Sequence, residues 1–187
     1  MRVALVVGGS ASVWEEVEAA LALGDYHGAV GCNDVGAIWP GRLDANVSLH
    51  ADQHRKWAAQ RAARGLPPHK RVLIVQGGAQ SEPRLSSAVT GETEYRFPGQ
   101  TVSGSSGLFA LKVALIDLGF DRAVLCGIPM CDGAGHILNP GQPWQGGAAH
   151  QPGWIQALPQ IKDRARSMSG WTRAQLGRPD AAFVNGD

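Results

Sequence analysis

The chain has 187 residues, of which 44% are hydrophobic and 18% charged, with a formal net charge of +1. This profile lies far from that of a disordered chain, and the length suffices for one domain to bury a large core without disulfide or metal. So small a net charge exerts no global pull on nucleic acid or membrane, so any anion must be held by local features.

Arg2 to Val7 is a β-branched apolar run closed by Gly8-Gly9, the pattern of a strand buried on both faces. Ser10 or Ser12 stands where a helix cap belongs. Val13, Val17, Ala20 and Leu21 then recur at helical spacing, and Glu15, Glu16 and Glu18 suit the first turns. Ala29 to Cys32 and Ala45 to Leu49 read as two further strands, separated by Asn33-Asp34 and the turn-prone Trp39-Pro40-Gly41. Alanine-rich Asp52 to Arg64 predicts a helix that stops at Gly65 and Pro67. Arg71 to Gln76, with VLIV at its centre, predicts a central strand, whereas Gly77 to Gly104 lacks periodicity and reads as a functional loop or as hidden elements. A helix from Ser106 to Leu118 and a strand from Ala123 to Ile128 follow. After a second long loop, Pro129 to Gln151, the chain is expected to turn helical from Trp154 to Leu176, interrupted near Pro159 and Gly170. Ala181 to Val184 predicts a last strand.

Alternation of this kind places the chain in the α/β class, with a mostly parallel sheet and helices on both faces. Ligands in such sheets bind outside the carboxyl ends of the strands. The loops to watch are therefore Gly8 to Ser12, Asn33-Asp34, His50 to Asp52, Gly77-Gly78 and Pro129 onward. No repeat or linker divides the chain, so residues 1–187 read as one domain, with a short lid-like loop at 129–151. Cys32, Cys126 and Cys131 are odd in number, and MRVALVVGG is too short in its apolar run for a signal peptide or membrane span. The expectation is a reduced, cytoplasmic protein.

Two loops carry the chemistry. In VVGGSAS, glycines directly after a strand let the backbone approach a ligand, and free amides at the next helix's first turn attract phosphate; Gly8, Gly9, Ser10 and Ser12 are the candidates. The loop lacks a full GxGxxG pattern and a Walker lysine, so motif supports neither NAD nor P-loop ATP binding, and a tight strand-to-helix turn has the same look. In SGSSG, the hydroxyls and amides around Ser105, Ser106 and Gly107 suit a phosphate, carboxylate or ribose, or else cap the helix. That helix is apolar almost all round, with Lys112 and Asp117 as its clearly polar positions, and must be buried on most sides. Its polar start then needs a cap or a ligand.

SSGLFALKVALIDLGFDRAVLCGIPM resembles a segment of bacterial CMP-sialic acid-dependent sialyltransferases, in which a Ser-Gly pair starts an apolar helix, followed by a Leu-Gly-Tyr/Phe turn and a strand ending in Gly-Ile-Asp. The pattern is shared with a wider Rossmann-like group that includes archaeal 6-hydroxymethylpterin diphosphokinases. VVGGSASV resembles the family's strand, Gly-Asn-Gly-Pro-Ser loop and helix, and VGCNDV its second strand ending in Cys-Asn. The resemblance implies that Gly8, Ser12, Asn33, Ser106 and Gly107 line a cytidine-nucleotide donor pocket. The loop asparagine of the pattern falls at Gly9, its second glycine at Ser10, and its acidic residue after Gly-Ile at Pro129. The family's histidine precedes a helix after the lid, and AAHQPGWIQAL puts His150 in a similar place, so His150 is the candidate general base; His136 competes, and a packing role for His150 is the plainer alternative.

The reading that follows is a Rossmann-like, metal-independent glycosyltransferase that binds a nucleotide or nucleotide-sugar, requires no cofactor and transfers the sugar to an unknown acceptor. A pterin diphosphokinase-like enzyme and a noncatalytic nucleotide-binding module are the alternatives. No metal site is expected, since Cys126, Cys131 and His136 match no tight zinc spacing and a fourth ligand is not evident. The basic stretch RKWAAQRAARGLPPHKR reads as a solvated helix face, not a nucleic-acid surface, and homo-oligomerisation is left open.

Overall fold

The computed structural model of the chain describes residues 1–76 and 88–186. Its elements begin with β1 (Val3–Val7), α1 (Val13–Leu21), β2 (Gly28–Cys32), α2 (Val35–Ile38) and β3 (Ala45–Ser48). A 3₁₀ turn at Ala51–Gln53 leads into α3 (His54–Ala63), then β4 (Val72–Val75) and β5 (Gly91–Thr93). Next come α4 (Ser106–Lys112), continued by a π-helical stretch Val113–Asp117, and β6 (Arg122–Cys126). A hairpin of β7 (Gly135–His136) and β8 (Asn139–Pro143) precedes α5 (Gly147–Ile161), β9 (Ala165–Ser167), α6 (Gly170–Leu176) and α7 (Ala181–Asn185).

Among the described residues, seven strands form one sheet in the order β5-β4-β3-β2-β1-β6-β9, and each pairing is parallel. The chain walks outward from β1 to β5, then returns to build β6 on the other side of β1. That reversal is the topological switch point at which α/β sheets open a ligand crevice. Side chains alternate across the strands. Ala4 and Val6 of β1 join Val30, Val47 and Leu125 in a core under α4 and α5, with Phe109, Leu111, Trp154 and Ile161. Leu5 and Val7 join Val124 and Cys126 in a core on the other face, under α1 and α7, with Val13, Val17, Phe183 and Val184. The fold is therefore α/β and Rossmann-like, with helices on both faces.

The π-helical stretch has a specific cause. The wider turn, marked by Leu118 N–H donating to Val113 O at 2.9 Å, is the i→i+5 pattern and brings side chains five apart together. Lys112 Nζ, on a residue only 5% exposed, thereby reaches Asp117 Oδ1 at 2.7 Å and Thr93 Oγ1 at 3.1 Å, which ties β5 to the end of α4.

Several expectations are corrected. Ala181 to Val184 lies within the helix α7, because the Asp180 carboxylate accepts from Phe183 N–H at 2.7 Å and caps it. The helix expected from Trp154 to Leu176 starts earlier, at Gly147, and strand β9 interrupts it; Pro159 lies inside α5 instead of breaking it. The 77–104 stretch hides β5, while its Gly77-Gly78 turn lies outside the described residues. Between β2 and β3 stands a short helix, α2, in place of a plain turn. The lid-like 129–151 stretch contains the β7–β8 hairpin and the start of α5. No helix among the described residues is long and apolar enough to cross a membrane.

The basic stretch is not wholly a solvated face either. Arg61 is 3% exposed and donates to the carbonyls of Gly36, Trp39, Gly41 and Pro67, so its charge caps backbone rather than meeting solvent. His54, on the same helix, packs edge-on against Trp57, and burial pushes its pKa down to about 4, opposed by a hydrogen bond to the Leu73 backbone. Burial also lowers His69 to about 4; its Nδ1 accepts from Leu43 N–H, which puts the ring proton on Nε2 facing Gly36 O at 2.7 Å.

Both folded values lie below the ordinary 6.5, so between pH 6.5 and about 4 the unfolded chain binds protons that the folded chain refuses. Their stabilising contribution is complete above pH 6.5 and falls on acidification, by up to about 1.4 kcal/mol per pH unit for each histidine. Urea titrations between pH 7.5 and 4.5 should record that decline, with a shallower slope in His54→Leu; the same slope in the variant would clear His54 of the effect.

Candidate functional site

The turns after β1, β2, β3 and β6 open on a cleft of about 270 Å³ at the carboxyl ends of these strands. Gly8, Gly9, Ser10, Asn33, Ser105, Ser106, Gly107 and His150 all line it, so segments far apart in the chain share one cavity. Ser12 does not line it; it lies one hydrogen bond behind Ser10, with the two Oγ atoms 3.0 Å apart. Sequence reasoning missed the contributions of Cys32, Leu49, Met130 and Gly135. The glycine-rich composition of the 133–147 stretch was the available signal for part of that wall.

The floor of the cleft depends on a close backbone approach. A Cβ at Gly8 would stand 2.6 Å from Gly127 O and 2.4 Å from Ile128 Cγ1. Gly127 has φ +69°, and a Cβ there would stand 2.7 Å from Gly8 O. Neither position has space for a side chain, so these glycines answer first to packing.

The free amides expected across Gly8 to Ser12 are mostly engaged. The N–H groups of Gly8, Ser10, Ala11 and Val13 donate to the carbonyls of Cys126, Gly127, Gly135 and Ser10 at 2.8–3.1 Å. Among the described residues, the Gly9 amide is the one in this turn left without a protein acceptor. The expected serine cap of α1 is also absent as such: Ser12 Oγ donates to the Glu16 side chain at 2.6 Å instead.

The second loop divides its work. Ser105 Oγ accepts from Leu108 N–H at 3.3 Å and from Trp154 Nε1–H at 3.2 Å, so it is the cap of α4 and the partner of a fully buried indole. Ser106 Oγ accepts from Leu49 N–H at 3.3 Å and keeps its own proton. The first amides of α4 have no carbonyl within the helix to bond, as at any helix start. Asn33, in the left-handed region at φ +55°, accepts from Ser48 Oγ–H at 2.7 Å through Oδ1, which leaves its Nδ2 donors for the cleft.

Two histidines line the cleft with different surroundings. His136 Nε2 faces Asp34 Oδ2 at 3.3 Å, and its Nδ1 accepts from Leu138 N–H at 3.3 Å. Asp34 is itself held by Trp57 Nε1–H at 2.7 Å. His150 lies inside the first turns of α5, not ahead of the helix as expected, and stacks on Trp144 with ring centroids 6.1 Å apart. Its ring nitrogens bond no other described residue. The helix that carries it begins where Asp132 Oδ1 accepts from Gly147 N–H at 2.8 Å and Ala148 N–H at 3.4 Å. Cys32, at the cleft's inner end, is pushed up to about 12 by burial, with Asp34 adding to the shift, and is held as a thiol. Among the described residues, no three His, Cys, Asp or Glu side chains gather as a metal-binding cluster.

Two solved structures share the fold around this cleft. MAf glycosyltransferase from Magnetospirillum magneticum AMB-1 aligns with 90% of this chain at a TM-score of 0.61 and 13% identity, and the chain spans 32% of that protein's length. The sialyltransferase CstII from Campylobacter jejuni, solved in complex with the substrate analogue CMP-3FNeuAc, aligns over 97% of this chain and 88% of its own, with a TM-score of 0.54 and 12% identity. At such identities the likeness is one of fold. No protein-family model and no curated protein matches the chain.

Ser105→Ala removes a helix cap and strands the Trp154 N–H, which should cost about 2–4 kcal/mol of unfolding free energy. Chemical denaturation measures it; a change below 0.5 kcal/mol, roughly the scatter of neutral surface substitutions, would show that the Trp154 bond contributes nothing.

Proposed function

We propose that the chain is a glycosyltransferase that binds a nucleotide-sugar in this cleft, with a cytidine nucleotide as the donor of choice, and transfers the sugar to an acceptor hydroxyl. The observation that carries the proposal is His150: a ring stacked on Trp144 in the cleft wall, with neither nitrogen engaged by another described residue. Histidine is the side chain whose ordinary titration range suits proton transfer at neutral pH. His136 is the poorer base, because both of its nitrogens already face partners. The CMP-sugar analogue bound by the CstII neighbour supports the donor class.

In this reading the acceptor oxygen attacks the anomeric carbon while His150 takes its proton. The bond between that carbon and the phosphate oxygen breaks, and the nucleotide leaves with the electron pair. The Gly9 amide and the first amides of α4, at Ser106 and Gly107, face the leaving phosphate and stabilise its growing charge. Asn33 Nδ2 and the Ser106 hydroxyl are the remaining donors for the nucleotide.

A thermal-shift panel of CMP, CDP, UDP and GMP should raise the melting temperature for at least one, with about 2.7 kcal/mol of stabilisation at a hundredfold excess over Kd. His150→Ala should keep that binding and slow release of the nucleotide from its sugar conjugate by at least about 100-fold. Binding lost in the variant would assign His150 to ligand or fold. A wild-type chain that returns the conjugate unchanged would be a binding module and not an enzyme.

A further inference from the structure

The cleft wall beside β1 carries a hydrogen-bond chain that the transfer step does not use. Gly127 N–H donates to Glu16 Oε2 at 2.7 Å, Ser12 Oγ–H donates to Glu16 Oε1 at 2.6 Å, and Ser10 Oγ lies 3.0 Å from Ser12 Oγ. Glu16 is 8% exposed and forms no salt bridge among the described residues. A carboxylate accepts hydrogen bonds and does not donate them, and a serine hydroxyl has one proton. With that proton committed to Glu16, Ser12 can only accept from Ser10. Ser10 must then turn its own proton inward and offer the cleft a lone pair; its remaining contact, from the Ser12 amide, is long at 3.5 Å.

We propose that Glu16, acting through Ser12 as a positioning residue, fixes Ser10 as a hydrogen-bond acceptor. This wall then selects a neutral donor group on the ligand, a ribose hydroxyl or the amino group of the base, and rejects a phosphate oxygen. The inference rests on the nucleotide reading of the cleft and fixes which way round the nucleotide lies: phosphate toward Gly9 and α4, donor groups toward Ser10. Ser10 occupies the loop position at which the resembled pattern has glycine, so this acceptor is a feature of this chain's own sequence.

Calorimetric titration of the full chain with CMP, 2′,3′-dideoxy-CMP and UMP tests it. Dideoxy-CMP lacks the ribose hydroxyls, and UMP replaces the amino donor with a carbonyl. The wild-type chain should bind CMP about tenfold more tightly than one of the two, and Ser10→Ala should bring that pair within about twofold. Glu16→Gln keeps an acceptor for Gly127 but presents an amide donor to Ser12, which reverses the chain. The same affinity ratio should fall, an effect that lost stability alone would not produce because it acts on all three ligands alike. Equal weakening of all three by Ser10→Ala would place the phosphate at Ser10 and overturn the proposal. Equal affinities in the wild-type chain, or a discrimination that Ser10→Ala leaves intact, would overturn it as well. Binding of none of the three to the wild-type chain would sink the nucleotide reading itself, and this inference with it.

Discussion

The site depends on one contact, the seam where the turn after β1 meets the turn after β6. Gly8 N–H donates to Cys126 O, Ser10 N–H to Gly127 O, and the Gly127 amide to the buried Glu16 carboxylate. Hydrogen bonds to an ionised group are worth about 1.5–3 kcal/mol each, so the two that reach Glu16 offset much of the cost of burying a carboxylate that pairs with no cation among the described residues. The seam joins the two halves of the sheet at its switch point. Any ligand between β1 and β6 therefore meets backbone held from both sides.

The second wall follows from burial. Leu108, Phe109 and Leu111 are almost wholly removed from water, each contributing about 1.5–3 kcal/mol, so α4 must start inside the protein. A buried helix start leaves amide donors without partners unless something satisfies them. Ser105 takes one and turns its remaining capacity to Trp154, which ties α4 to α5. Because α5 also carries His150, the cap that anchors one wall of the cleft sets the position of the histidine in the other. At the far end of α4, the Lys112, Asp117 and Thr93 cluster holds the helix to β5. Glu16, Ser105 and Lys112 thus fix the cleft-forming elements through interactions between segments distant in the chain.

That distance decides what could be read from the sequence. β1 and β6 were legible because their apolar runs bury both faces, a property each run carries by itself, and β2, β3 and β4 were legible as short runs between turns, although in β4 only Ile74 is buried. β5 and β9 have three residues each and exist through pairing with β4 and β6, which no local pattern encodes. The start of α5 is set by Asp132, fifteen residues upstream of Gly147, so a scan for an adjacent cap finds none. The same holds in the site. The glycines and serines of the cleft were visible as loop composition, but the expectation of free amides at Gly8 to Ser12 failed because β6 and the hairpin already take most of them. Trp144 stacks on His150, and that place depends on the hairpin fold.

The charge of the cleft adds a constraint on the proposed donor. Its described lining has three histidines, His50, His136 and His150, and no lysine or arginine. A phosphate there must be held by amides, hydroxyls and imidazole, which supply dipoles where a cation would supply a full charge. Such a site suits a ligand with one phosphate in a diester, carrying a single charge, better than a diphosphate linkage with two. On the proposed reading, nucleoside diphosphate donors demand a counter-charge that nothing in this described lining provides, whereas a nucleoside monophosphate conjugate asks for one anion-binding turn, the role proposed for Gly9 and the start of α4. The neutral donor groups of such a ligand then remain to be matched at Ser10, the acceptor role proposed for it through Ser12 and Glu16.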